Sequence, residues 1–153
     1  MSISYTKRGW TNNSPPAINA ANLGAMDDAL KLMADTVDTA TGTWTPVLGG
    51  DSESGQTYIS QEGWYVKNNK FAVLTYRIKL SAKGTITGTL AKIKGLPFTG
   101  YGGGGGYSLN CGGHIGLYVS ANIAYGSING TDDFRVTDIT DSSELHGSII
   151  LTL

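Results

Sequence analysis

Cysteine is nearly absent from this chain. Cys111 is the only one in 153 residues, so neither an intrachain disulfide nor a cysteine-based zinc site can form. Histidine is almost as scarce: His114 and His146 are the only two, which leaves little for histidine-based catalysis. Charged residues make up 15% of the chain, against about 25% in ordinary soluble domains, and they balance to a net charge of −1. Charge that sparse lacks the electrostatic footprint of a nucleic-acid binder, so no nucleic-acid partner is expected. No segment approaches the ~20 apolar residues of a membrane span, and Met1 to Trp10 has no apolar core fit for a signal peptide. No membrane insertion is expected, and synthesis and folding are expected in a cytoplasm.

Motifs of catalysis are missing as well. There is no Gly-x-Ser-x-Gly elbow, and no Lys-Ser/Thr follows the glycine run to make a phosphate loop. The acidic stretch Thr131–Asp141 lacks the alternating carboxylates and late glutamate of a calcium loop, so no metal site is expected and a solvated strand edge is. Asp132, Asp133, Asp138, Asp141 and Glu144 could in principle supply a carboxylate pair for glycoside hydrolysis, but no spacing selects one. No catalytic residue and no cofactor is assigned, and the chain is not expected to be an enzyme.

What is plentiful is glycine, 22 residues or about twice average usage, together with eight tyrosines. That composition fits short strands joined by tight turns. The clearest pattern is Lys70–Leu80, where Ala72, Leu74, Tyr76, Ile78 and Leu80 alternate with Phe71, Val73, Thr75, Arg77 and Lys79. A period of two predicts a strand with one face in a core and the other buried only at its start. Further strands are predicted over Thr43–Val47, Gln56–Gln61, Gly63–Lys67, Thr85–Ile93, Gly105–Cys111, His114–Ser120, Asn122–Ile128, Asp133–Ile139 and Glu144–Leu153. Turn residues fall between them at Gly49-Gly50-Asp51, Asn68-Asn69, Lys83-Gly84, Asn129-Gly130 and Asp141-Ser142-Ser143. The expected class is mostly β: an antiparallel β-sandwich or jelly-roll-like head over residues 42–153.

Ahead of the head, residues 1–41 read as a mount. An extended arm over residues 1–16 ends in Ser14-Pro15-Pro16, and Asn19 stands where a helix N-cap belongs. Leu23, Met26, Leu30, Met33 and Val37 then recur at spacings of 3, 4, 3 and 4, a narrow apolar seam about two heptads long. So narrow a stripe suits a small self-association bundle, with packing on the chain's own domain the ordinary alternative. The run Tyr101-Gly-Gly-Gly-Gly-Gly-Tyr107 leaves two readings open: a mobile surface loop, or backbone packed closely against a neighbouring subunit or a ligand.

Ile18–Ala29 (Ile-Asn-Ala-Ala-Asn-Leu-Gly-Ala-Met-Asp-Asp-Ala), Trp44-Thr-Pro-Val-Leu-Gly-Gly50, Gly63-Trp-Tyr-Val-Lys67 and Ile93-Lys-Gly-Leu-Pro-Phe98 occur in that order. In these pieces the chain resembles tail-fibre and receptor-binding proteins of bacteriophages and prophages, over roughly residues 17–98. The resemblance implies a homotrimer, with the helical seam as trimer interface, and a distal β head that recognises a bacterial cell-surface glycan. It also implies attachment to other virion tail or baseplate proteins, and a place in the virion. Where family members carry Ile-Gly-Asn after the lysine, this chain has Asn68-Asn69. A sugar site needs rings to stack on pyranose C–H groups, with short polar side chains around them. Tyr101, Tyr107, Asn110, His114, Tyr118 and Tyr125 are the candidates, while Trp44 and Trp64 are expected to be structural. The competing expectations are a structural virion adaptor or decoration protein and, further off, a small glycan hydrolase.

Overall fold

A computed structural model describes residues 20–37, 39–130 and 132–153, excluding the side chains of residues 20–22 and 34–37. The arm expected over 1–16, the Asn19 cap and the side chain of Val37 lie outside these described residues. The chain divides into a helical unit ending at Val37 and a β unit from residue 38 to Leu153.

Helix α1 spans Ala20–Val37. Alanine, leucine and methionine dominate it, all strong helix formers, and β-branched residues appear only at its end. Leu23, Met26, Leu30 and Met33 share one face by their spacing and are 53–62% exposed.

The β unit contains twelve strands among the described residues: β1 (Ala40–Trp44), β2 (Val47–Gly49), β3 (Ser52–Ser54), β4 (Thr57–Lys67), β5 (Phe71–Ala82), β6 (Thr85–Thr87), β7 (Lys92–Lys94), β8 (Gly100–Leu109), β9 (Gly113–Ala121), β10 (Ile123–Ile128), β11 (Asp132–Asp133) and β12 (Glu144–Thr152). Ten of them form one sheet in the order β1-β4-β5-β12-β8-β9-β10-β7-β2, with β11 on β10; β3 and β6 pair separately. Every pairing is antiparallel. The mostly β, antiparallel class expected from the sequence is the one the chain adopts.

The two ends of this sheet are β1 and β2, which Thr45-Pro46 alone separate in the chain. Three Cα steps reach at most about 11 Å, so the sheet must curl until its edges nearly meet. Across the seam, β4 and the residue just before it supply what a strand ladder would otherwise give. The Gln61 Nε2 amide donates to the Pro46 carbonyl at 3.0 Å, and Gln56 Nε2 donates to the Leu48 carbonyl at 2.6 Å. Buried carbonyls on an open edge are thereby satisfied. Inside the curl lies the core, including Leu48, Leu74, Ile78, Leu80, Val119, Leu145, Ile149 and Leu151, each fully buried.

On β5 the alternation holds: Ala72, Leu74, Tyr76, Ile78 and Leu80 are buried. The second face is not covered at its start, since Phe71 is 46% exposed. On β12, Ile149 and Leu151 close the core but Leu153 is partly exposed. The strand expected over Thr85–Ile93 is two strands, because β6 leaves to pair with β3 and β7 pairs with β2 and β10. Gln56–Gln61 and Gly63–Lys67 are one strand, with register shifts near Tyr58. Of Asp133–Ile139 only the first residue is strand; Phe134 is buried and a 3-10 turn covers Val136–Asp138. The helix ends at Val37, and β1 begins at Ala40.

The pentaglycine is not a loop. It is the centre of β8, hydrogen-bonded to β12 on one side and β9 on the other. Tyr76 lies across its inner face, where a methyl on Gly106 or on Gly147 would run into the Tyr76 hydroxyl. That hydroxyl is buried with no hydrogen-bond partner among the described residues, and burial pushes the phenol far above its ordinary pKa. An unsatisfied buried hydroxyl costs about 1–3 kcal/mol. Tyr76→Phe keeps the ring and removes the orphan, and is expected to raise unfolding stability by about 1 kcal/mol. Urea denaturation checks this, and a loss of stability would mean that the hydroxyl has a partner.

Candidate functional site

Strand register settles which side chains share a face. On β8 the inward positions are Gly102, Gly104, Gly106 and Ser108, opposite Leu151, Ile149, Gly147 and Leu145 of the core. Tyr101, Gly103, Gly105 and Tyr107 therefore face outward. Their β9 partners are Ser120, Tyr118, Gly116 and His114, and Tyr125 of β10 pairs with Tyr118. Five of the six candidate site residues thus stand on one outer face. Asn110 does not. It sits in the β8–β9 turn with φ 63°, and its Nδ2 donates to the Ser142 carbonyl at 3.2 Å.

The five do not form one cluster. Tyr101 and Tyr107 stand at opposite ends of the glycine run, about 20 Å apart along the strand. Tyr107 packs edge-on against His114 with ring centroids 5.5 Å apart. Tyr118 and Tyr125 stack at 5.6 Å, 25° from parallel, beside the middle of the run. This stacked pair walls a depression of about 490 Å³. Its floor is backbone of Gly104 and Gly116 with Ser127, the β10 partner of Gly116. Asp133, the register partner of Ser127, with Leu90, Leu117 and Gly126, completes the lining.

Glycine is what makes the trough. A side chain at position 116 would stand in the floor, where even a methyl would lie 2.9 Å from the Ser127 hydroxyl. Ser127 and Leu90 escaped the sequence reading, which named Asp133 only as one carboxylate of a possible pair and took the acidic stretch as a solvated edge. The Asn129-Gly130 turn was the available signal. Asn129 at φ 52° and Gly130 at φ 76° reverse the chain and bring Asp133 opposite Ser127.

Many charges of the β unit are already engaged. Lys92 Nζ lies 5.5 Å from the Tyr125 ring and donates to Asp51 Oδ1 at 2.5 Å. That hydrogen bond holds the Asp51 carboxyl below its usual range and raises the Lys92 ammonium. Glu144 accepts from Lys79 at 2.8 Å and meets His146 at 2.8 Å and Arg77 at 3.5 Å. The hydrogen bond from Lys79, then that from His146, brings its pKa down to about 2. Asp138 accepts from the Arg135 backbone and Asp141 from the Lys83 backbone, both at 2.8 Å. Of the five carboxylates that might have formed a hydrolytic pair, three are therefore committed to structure, and Asp133 lines the trough.

Among the described residues no group of three or more His, Cys, Asp or Glu side chains converges, and no helix is long and apolar enough to cross a membrane. Trp44 is buried, but Trp64 is 49% exposed on the outer face and fills no core position. The trough is a shallow, open surface with two stacked rings, the Asp133 carboxylate, the Ser127 hydroxyl and a glycine floor whose backbone amides are engaged in the strand ladders. Such a surface can hold a small polyhydroxylated ring by stacking and hydrogen bonding. No family model, curated protein or solved structure matches the chain.

Proposed function

We propose that this chain is a bacteriophage- or prophage-type tail-fibre or receptor-binding protein. In this reading α1 gathers three copies, the preceding segment joins other tail or baseplate proteins of the virion, and the β unit adheres non-covalently to a host cell-surface glycan. The observation that carries it is the Tyr118–Tyr125 stack beside Asp133, Ser127 and a glycine floor. Aromatic stacking and paired hydrogen bonds give weak single-site affinity, and three linked sites make weak sites useful.

Binding of the purified chain to host cells and to a glycan array tests the proposal. Tyr118→Ala is expected to weaken binding about tenfold or more, while Lys70→Ala, on the exposed β4–β5 turn, leaves it unchanged. Absence of all host-cell and glycan binding by a folded wild type would leave the structural adaptor as the better reading. Release of reducing sugar would replace adhesion with hydrolysis.

A further inference from the structure

The outer face carries a second feature that the trough does not use. Val66 of β4, Val73 of β5 and Ile150 of β12 stand side by side in one cross-strand row. Trp64 occupies the row on one side and Phe71 the row on the other, with only threonine and serine between these apolar groups. Trp64, Val66, Phe71 and Ile150 are 46–57% exposed. Charge begins one row further along, at the Glu62–Arg77 pair.

Half-exposed side chains of this size leave on the order of 400 Å² of apolar surface in one block. That matches the largest patches seen on monomers, and is about half of the ~800 Å² each partner buries in a standard interface. A patch without charge meets its own copy with no repulsion. The chain also brings copies to it: α1 ends at Val37, two residues before β1, and β1 runs along β4 with Thr41 opposite Val66 and Thr43 opposite Trp64. Helices gathered in a bundle therefore tether the β units at the strand beside this patch, where the high effective concentration lets a modest surface associate.

We infer that the block centred on Val66, Val73 and Ile150 is the contact between β units of neighbouring copies of this chain. The inference rests on the proposed helical assembly. The tyrosine trough adjoins this contact, since Gly103 alone separates Ile150 from Tyr118 in the same row.

Sedimentation equilibrium of the full chain tests it, with far-UV circular dichroism confirming the fold of each variant. Ile150→Lys is expected to raise the dissociation constant at least tenfold, and Trp64→Ser to do the same in part. Tyr118→Ala should leave the mass unchanged. If Leu30→Asp dissociates the assembly while Ile150→Lys and Trp64→Ser do not, the helices act alone and this inference falls, with the helical assembly intact. A wild type that is monomeric at every concentration removes both. An Ile150→Lys variant that keeps its mass but loses cell binding would assign the face to the ligand instead.

Discussion

Gly104→Ala is expected to destabilise the β unit by about 3 kcal/mol or more, enough to remove most soluble folded protein. In an ordinary strand the same change would help by roughly 0.5–1 kcal/mol, because alanine loses less backbone freedom on folding than glycine. Here the space decides against it. A methyl on Gly104 would collide with the Ser148 carbonyl oxygen of β12 and stand 2.8 Å from the Ile149 Cα. Gly102 and Gly106, on the same inward side, meet the Ile150 and His146 carbonyls in the same way. These are backbone atoms of a central strand whose own partner on the far side is β5, so they have nowhere to retreat.

The outward glycines differ. Methyls on Gly103 and Gly105 would stand 3.0 and 3.1 Å from the Leu117 and Ile115 carbonyls, tight contacts that a few tenths of an ångström would relieve. Gly105→Ala is therefore expected to change stability by less than about 1 kcal/mol. Urea unfolding of the two variants side by side reads the contrast. Equal tolerance at 104 and 105 would mean that β8 does not approach β12 as closely as this structure has it.

That contrast shows where sequence reasoning stopped. A run of five glycines has no side-chain periodicity, so nothing in it announces a strand, and the close approach that requires glycine belongs to β12, some forty residues later. Lys70–Leu80 was legible because its own side chains alternate. Thr85–Ile93 was not, because its halves are claimed by β3 on one side and by β2 and β10 on the other, pairings no local pattern encodes. The tyrosines of the site were visible as residue types, and register then placed Tyr118 against Tyr125. The place of Asp133 in the site stayed hidden because its position depends on how the Asn129-Gly130 turn folds back. The exposed row of Val66, Val73 and Ile150 was partly visible in β5, where valine and phenylalanine on the second face read as burial. In the single chain they are uncovered.

Trp44→Ala is expected to cost about 3–5 kcal/mol, the range for removing a large buried aromatic ring. The reason lies in a reciprocal arrangement across β1 and β4. Trp44 pairs with Gly63, and Tyr65 pairs with Gly42, so each ring lies over the glycine opposite it. A methyl on Gly63 would come within 2.6 Å of the Trp44 ring carbons Cδ1 and Cε2, and one on Gly42 within 2.6 Å of Tyr65 Cζ. The indole Nε1 donates to the Thr75 carbonyl at 3.1 Å, linking β1 across β4 to β5. Phe98 meets the Tyr65 ring edge-on at 4.8 Å, and Lys67 Nζ lies 4.9 Å from the Phe98 ring. The Gly42-Thr-Trp44, Gly63-Trp-Tyr65 and Leu96-Pro-Phe98 pieces are thus one packed cluster at the edge where the curled sheet begins. Trp44→Phe retains part of the ring contact but loses the hydrogen bond, and an intermediate cost of about 1–2 kcal/mol is expected. Gly63→Ala should destabilise by displacing the indole, with a red shift of tryptophan emission as Trp44 meets water. Unfolding curves for the three variants give the order directly. If Gly63→Ala proved neutral with unshifted emission, the glycine would have to be explained by strand twist, and the cluster would reduce to burial of Trp44 alone.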